Sequence, residues 1–268
     1  PVILLFLPQI AISLYVTLNR TMLGALASTT DVGIYDQSLK LVNILLTLVT
    51  SLGSVMLPRV SNLLSTGDKK SVNRMNQLSF LIYNLVIFPT IAGMLIINND
   101  FVKFFLGNDF QEARYAIAIM IFRMFFIGWT NIMGIQILIP HNKNKEFLIS
   151  TTVPAIISVG LNLLLLPEFG YIGAAIVSVL TEVFVWVIQL YFTRKYLKDV
   201  PIFKSTIKIF SASILMYVTL SFLKSILTFT PIVNVVVCAI VGAILYGLLI
   251  LIFKIVGLKE IKEQLLNN

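Results

Sequence analysis

Eight apolar stretches run along the chain, at roughly 1–19, 34–58, 76–97, 115–140, 147–166, 172–192, 209–227 and 232–253. Each is close to the 20 or so residues that a helix needs to cross the hydrocarbon of a bilayer. Residues 75–99 and 225–253 hold no charge at all. The seventh stretch is the weakest, uncharged only over 209–223 before Lys224, whose stem can carry its ammonium to the interface. The pattern predicts an all-α integral membrane protein with eight transmembrane helices and no soluble domain. Pro8, Pro89 and Pro154 fall inside spans, where a kink is tolerated if neighbours satisfy the freed carbonyl. After the eighth span, Ile255, Leu258, Ile261 and Leu265 fall near one face, so 254–268 reads as a short helix lying on the membrane surface.

Polar positions between the spans add direction. Arg59, Lys69, Lys70 and Arg74 follow span 2, and Lys143 and Lys145 follow span 4. Arg194, Lys195, Lys198, Lys204 and Lys208 follow span 6, and Lys254, Lys259 and Lys262 follow span 8. Most of the chain's 20 Lys and Arg therefore occupy every second gap. The other gaps hold Arg20, Lys103, Arg114 and Lys224 among Asp31, Asp100, Asp109, Glu112 and Glu168. Short loops rich in Lys and Arg stay cytoplasmic, so both ends of the chain are expected on the cytoplasmic side of a cell membrane.

Composition agrees. The chain is 58% hydrophobic and 12% charged, with a mean hydropathy of +0.95, whereas a soluble domain carries about 25% charged residues. The net charge of +8 reads as topology, not as a nucleic-acid surface. His141 is the one histidine and Cys238 the one cysteine, so neither a metal cluster, a disulfide framework nor a Ser/His/Asp constellation can be assembled. No nucleotide cradle is present, no cofactor is expected, and the chain is not read as an enzyme. It begins at Pro1 without a basic leader, which reads as a fragment with an N-terminal part missing.

Polar residues inside the spans are the candidate chemistry, because charge in hydrocarbon is costly and by default marks a pathway or a pair. In span 2, Asp36, Lys40, Asn43 and Thr47, continued by Ser51 and Ser54, share one helical face. Span 1 carries Gln9, Ser13, Thr17 and Arg20; span 6 carries Ser178, Glu182 and Gln189. Arg123 sits about 12 Å inside the outer end of span 4, with Thr130 and Asn131 two turns below. Two bland arrangements compete with a site: an intrahelical pair Asp36–Lys40 and an interhelical strut Arg123–Glu182. Taken together, however, the stripes imply a shared aqueous cavity. Its outer half is cationic through Arg20, Lys40 and Arg123, which suits an anion such as a phosphate.

The stretch 4–40, LLFLPQIAISLYVTLNRTMLGALASTTDVGIYDQSLK, resembles the seventh helix and following loop of polysaccharide-repeat-unit (Wzx-type) flippases. These belong to the multidrug/oligosaccharidyl-lipid/polysaccharide exporter superfamily. The likeness rests on the Pro8 span, Met22-Leu23-Gly24, Val32-Gly33-Ile34-Tyr35 and Lys40. A second match is 162–182, where Asn162 ends a span, Pro167 turns it and Gly170–Ala175 opens the next; 53–61 is similar to the exit of the family's eighth helix. The chain departs from the pattern at Asn19, where many relatives carry Asp before the basic residue.

The resemblance implies two six-helix lobes facing each other across a central cavity. Residues 1–192 would be the C-terminal lobe, and 193–268 two additional helices with a short cytoplasmic tail. It implies export of undecaprenyl-diphosphate-linked oligosaccharide repeat units across the bacterial cytoplasmic membrane for capsule, exopolysaccharide or O-antigen. The partners would be that lipid-linked substrate, membrane lipid, the missing N-terminal lobe, and a polysaccharide polymerase and chain-length regulator. Arg20, Lys40 and Arg123 would receive the diphosphate, with Asp36, Asn43, Thr47, Asn131 and Glu182 as polar or ion-coupling residues. The alternatives are a lipid II flippase or multidrug exporter of the same superfamily, and a membrane polysaccharide polymerase. A cation extruder would favour acids in the cavity, and the outer loop 98–114 is short for polymerase chemistry.

Overall fold

The computed structural model describes the backbone of residues 2–226 and 230–255, and their side chains except at 2–6, 48, 49 and 52–55. Among the described residues the chain is helical throughout its regular structure, in eight rods. These are α1 (Val2–Leu26), α2 (Thr29–Ser65), α3 (Lys69–Phe105), α4 (Ala113–Leu138), α5 (144–169), α6 (171–197), α7 (Ile202–Ile226) and α8 (Pro231–Ile252). They coincide with the eight expected spans. The expected amphipathic tail falls mainly on 256–268, outside the described residues.

Local chemistry sets the rod ends. Ser28 caps α2 in a reciprocal box: its hydroxyl accepts from Asp31 N, and the Asp31 carboxylate accepts from Ser28 N. After α2, Gly67 takes a φ of 75°, and Asp68 accepts from Ser71 N at 3.0 Å to start α3. The bonds from Ser71 hold the Asp68 carboxyl below its usual range. Pro231 opens α8, where its missing N–H is no loss.

Contacts between turns order the two ends of the bundle. At one end, Tyr171 N donates to Asp31 Oδ1 at 3.0 Å, Ser38 Oγ to Ala113 O at 3.3 Å, and Lys224 pairs with Asp100 at 2.7 Å. At the other, Lys208 Nζ donates to Phe253 O at 3.0 Å, and the His141 and Tyr196 rings lie 4.0 Å apart. The described residues of the basic gap clusters belong to this second end. At the first end, Asp100 and the Ile96 carbonyl hold the Lys224 ammonium.

A single apolar core runs through α1–α6, with Tyr35, Phe80, Tyr83, Met120, Met124, Ile137 and Leu166 at its centre. α7 and α8 pack on each other and on α3 through two smaller clusters, one around Ile209 and Ile250, the other around Met216 and Cys238. Outward, α8 exposes Ile232, Val236, Ile240, Ile244, Leu248 and Leu251, and α7 exposes Phe203, Phe210 and Phe222. Such a surface is stable only in lipid, and the protein is a multi-pass membrane protein.

Three boundaries depart from the sequence reading. α2 and α3 each run 37 residues, about 56 Å at 1.5 Å per residue, so they continue past the bilayer where Arg59 and Arg74 lie. Asn162 does not end a span and Pro167 does not turn the chain: both lie within helix, and the break comes at Gly170 (φ 50°, ψ −129°). Glycine is required there twice over, since a Cβ would also stand 2.5 Å from Asp31 Oδ1. Finally, α4 is not one regular helix. It tightens at Ile121–Phe122 and ends in a π-turn over Ile132–Leu138, where Gly134 admits the Phe147 ring.

Gly170→Ala should therefore destabilise the protein in detergent by on the order of 1–3 kcal/mol, the usual cost of a strained backbone. Gly160→Ala, whose added Cβ meets nothing within 4 Å, serves as the control and should leave the melting temperature unchanged or raised.

Candidate functional site

α1 has two faces with different tasks. Ala11, Tyr15, Asn19 and Leu23, spaced four apart, are buried as α1 packs along α6. Asn19 Nδ2 donates to Tyr35 Oη at 3.1 Å and to Ala174 O at 3.2 Å, tying α1 to α2 and α6. Gln9, Ser13, Thr17 and Arg20 are exposed. α2 continues this open polar surface with Lys40, Asn43, Thr47 and Ser51, all exposed; the Ser54 side chain lies outside the described residues.

The expected Asp36–Lys40 pair is not formed. Asp36 instead meets Arg20 across the α1–α2 interface at 2.5 Å, with Arg20 60% and Asp36 15% exposed. Two charges competed for one carboxylate, and the neighbouring helix supplied the better placed one. Among the described residues Lys40 has no acidic partner, so the open face carries one uncompensated cation in its midst.

Arg123 lies elsewhere. Its side chain and that of Glu182 are each 5% exposed, and Nη2 donates to Glu182 Oε1 at 3.3 Å. Tyr15 Oη donates to the same oxygen at 2.9 Å. Arg123 Nε and Nη1 are buried and have no acceptor among the described residues. The group borders a cavity of about 270 Å³ between α1, α2, α4, α5 and α6, whose polar lining includes Gln9, Thr50, Thr130, Asn131, Thr151 and Gln189. Asn131 accepts from Tyr83 Oη at 3.2 Å, and Gln189 donates to Ser150 Oγ at 3.2 Å.

The α4 irregularities build this cavity. Arg123 follows the tightened turn at Ile121–Phe122, and the π-turn re-aims the helix beside Gln189; π-turns recur at functional sites for this reason. The three basic residues grouped by sequence are thus divided. Arg20 and Lys40 lie on the exposed face, and Arg123 is buried beside an acid where it borders the cavity. Gln9 borders both spaces.

Sequence reasoning passed over Tyr15, Asn19 and Asp31 as polar participants. The signal for the first two was the i, i+4 spacing with Ala11 and Leu23. For Asp31 it was Ser28 three residues before it, the spacing of a capping box. Among the described residues no group of three or more His, Cys, Asp or Glu side chains could hold a metal.

The chain is similar to known proteins at each level compared. Residues 2–115 match the family model described as polysaccharide biosynthesis protein. It is 29% identical to a protein of Escherichia coli K12 provisionally assigned as an O-antigen transporter, over 70% of this chain and 45% of that one. It is 24% identical to the provisionally assigned flippase AglR of Haloferax volcanii, over 95% of this chain and 53% of that one. In fold it superposes on the lipid II flippase MurJ in an inward closed conformation, with a TM-score of 0.79 at 16% identity, covering 94% of this chain and 52% of that one. The chain spans about half the length of the curated relatives it matches.

The buried pair has a measurable signature. Arg123→Met or Glu182→Met alone strands a charge and should cost about 3–5 kcal/mol. The double variant removes both charges and should be more stable than either single one, which thermal unfolding in detergent would reveal as strong non-additivity.

Proposed function

We propose that the chain is a Wzx-type polysaccharide flippase of the multidrug/oligosaccharidyl-lipid/polysaccharide exporter superfamily, a reading its similarities support, and that it forms the C-terminal lobe, with two additional helices, of a flippase for undecaprenyl-diphosphate-linked oligosaccharides. Residues 1–192 form the lobe and 193–268 the addition. The end bearing the basic clusters faces the cytoplasm of a bacterial cell, the C-terminus with it. The product is a surface polysaccharide of the capsule, exopolysaccharide or O-antigen type.

The observation that carries this reading is the open polar face. Gln9, Ser13, Thr17, Arg20, Lys40, Asn43 and Thr47 are exposed on two adjacent helices, interleaved with Ile10, Leu14 and Ile44, whereas the exposed faces of α7 and α8 are predominantly apolar. Hydrocarbon cannot solvate such a face, so it borders water and, across it, a second lobe. Lys40, without an acidic partner among the described residues, is the first cation a diphosphate would meet there. Arg123 is the second, reached past Gln9. Rocking of the two lobes about this space would expose it alternately to the two leaflets.

Lys40 is the cleaner position to test, because its removal strands no acid, whereas removal of Arg123 leaves Glu182 buried and unpaired. In cells whose only copy of the full-length protein carries Lys40→Ala, polysaccharide export should fall about tenfold or more, the worth of one hydrogen bond to a charged group. The lipid-linked precursor should accumulate in the inner leaflet, and Lys40→Arg should restore export. Normal surface polysaccharide at normal expression of the Ala variant would remove Lys40 from the binding surface.

A further inference from the structure

We propose that Arg123 and Glu182 form a proton-controlled anion site, in which a proton on Glu182 releases Arg123 to a phosphate oxygen and loss of that proton recaptures it. The proposal rests on the reading of the substrate as a lipid-linked diphosphate.

The geometry of the pair is that of a latch. A committed Arg–carboxylate pair is bidentate, with N···O distances near 2.7–2.9 Å. Arg123 reaches Glu182 through one nitrogen only, at 3.3 Å, and shares that oxygen with Tyr15. Its Nε and Nη1 stay buried without an acceptor among the described residues, and Arg123 is one of the residues that line the cavity. Two adjacent N–H donors held out of water suit two oxygens of a phosphate. A cavity of about 270 Å³ is far larger than the 10–15 Å³ that one water needs. Gln9 connects it with the open polar face.

Charge balance then dictates the control. With Glu182 ionised, the cavity is neutral, and an entering phosphate would bring an uncompensated negative charge into a poorly solvated space, which is strongly disfavoured. With Glu182 protonated, the cavity holds one cation and the phosphate neutralises it. Binding therefore takes one proton from water onto the Glu182 carboxylate, and release returns it. The other titratable groups packed around the pair are Tyr15 from α1 and Tyr35 from α2, phenols whose ordinary pKa of about 10 leaves them neutral near pH 7. Asp36 lies farther along α2, occupied by Arg20. α5 contributes Phe147 and Thr151, which do not titrate.

The test uses the purified full-length protein and farnesyl-diphospho-N-acetylglucosamine, a diphosphate diester whose two charges stay constant from about pH 5 to about pH 8. Wild-type affinity should rise as pH falls, by up to about tenfold per pH unit for one proton linked to binding. Glu182→Gln should bind tightly at every pH. Tyr15→Phe, which keeps both charges and removes one donor from the carboxylate, should move the wild-type curve to higher pH. Retention of the wild-type slope by Glu182→Gln, or an unmoved curve in Tyr15→Phe, overturns the proposal. Arg123→Gln separates the two levels of the account. Loss of binding at all pH values upholds Arg123 as the diphosphate ligand whatever the slope in Glu182→Gln, and undiminished binding overturns that reading and the latch with it.

Discussion

Hydrocarbon offers no hydrogen bonds, and this one constraint orders the molecule. Every polar group within the spans must find protein or water. The chain meets the demand with a line of cross-helix bonds from α1 and α2 to α6: Glu182 accepts from Tyr15, Ala174 O from Asn19, and Asp31 from Tyr171 N. The Tyr15 and Asn19 bonds hold α1 against α6, while Gly173 leaves room for the Leu165 backbone of the preceding helix. Gln9, Ser13, Thr17, Lys40, Asn43 and Thr47 are left on the other side, exposed among the described residues. The open face is therefore a consequence of how the buried face is satisfied.

The same constraint distinguishes the two basic positions that matter. Lys40 stands exposed without an acidic partner among the described residues. Arg123 is buried, and a lone guanidinium there would not be tolerated, so Glu182 accompanies it from α6. The pairing is partial: one Arg123 nitrogen meets Glu182, and two are buried without an acceptor among the described residues. A polar surface for a large headgroup and a smaller, conditional anion site thus lie on either side of Gln9.

Much of this was legible in the sequence. The eight rods followed from apolar run length, and the common end of the basic clusters followed from their alternation. The stripe Lys40, Asn43, Thr47 is exposed as one face because helical periodicity fixes it. What periodicity cannot give is the rotation of one helix against another. That is why Asp36 was matched with Lys40 on its own helix instead of Arg20 on the next, and why Arg123 was grouped with Arg20 and Lys40. The resemblance puts the turn at Pro167, whereas the helix runs through it and Gly170, docked on Asp31, makes the break. Tyr15 went unnoticed because a tyrosine in an apolar run reads as packing, and its hydroxyl acquires meaning only once Glu182 is found beside it.

The central claim is that the exposed face of α1 and α2 borders water within the membrane. Thiol labelling of the full-length protein in intact membranes tests it most directly, in a background with Cys238→Ala and any other native cysteine removed. Asn43→Cys and Thr47→Cys on the polar face, and Ile240→Cys on the exposed apolar face of α8, would be offered a membrane-impermeant maleimide from each side. The account predicts labelling at positions 43 and 47 and none at 240. Protection of 43 and 47 from both sides, equal to that at 240, would place the face against lipid or protein and contradict it.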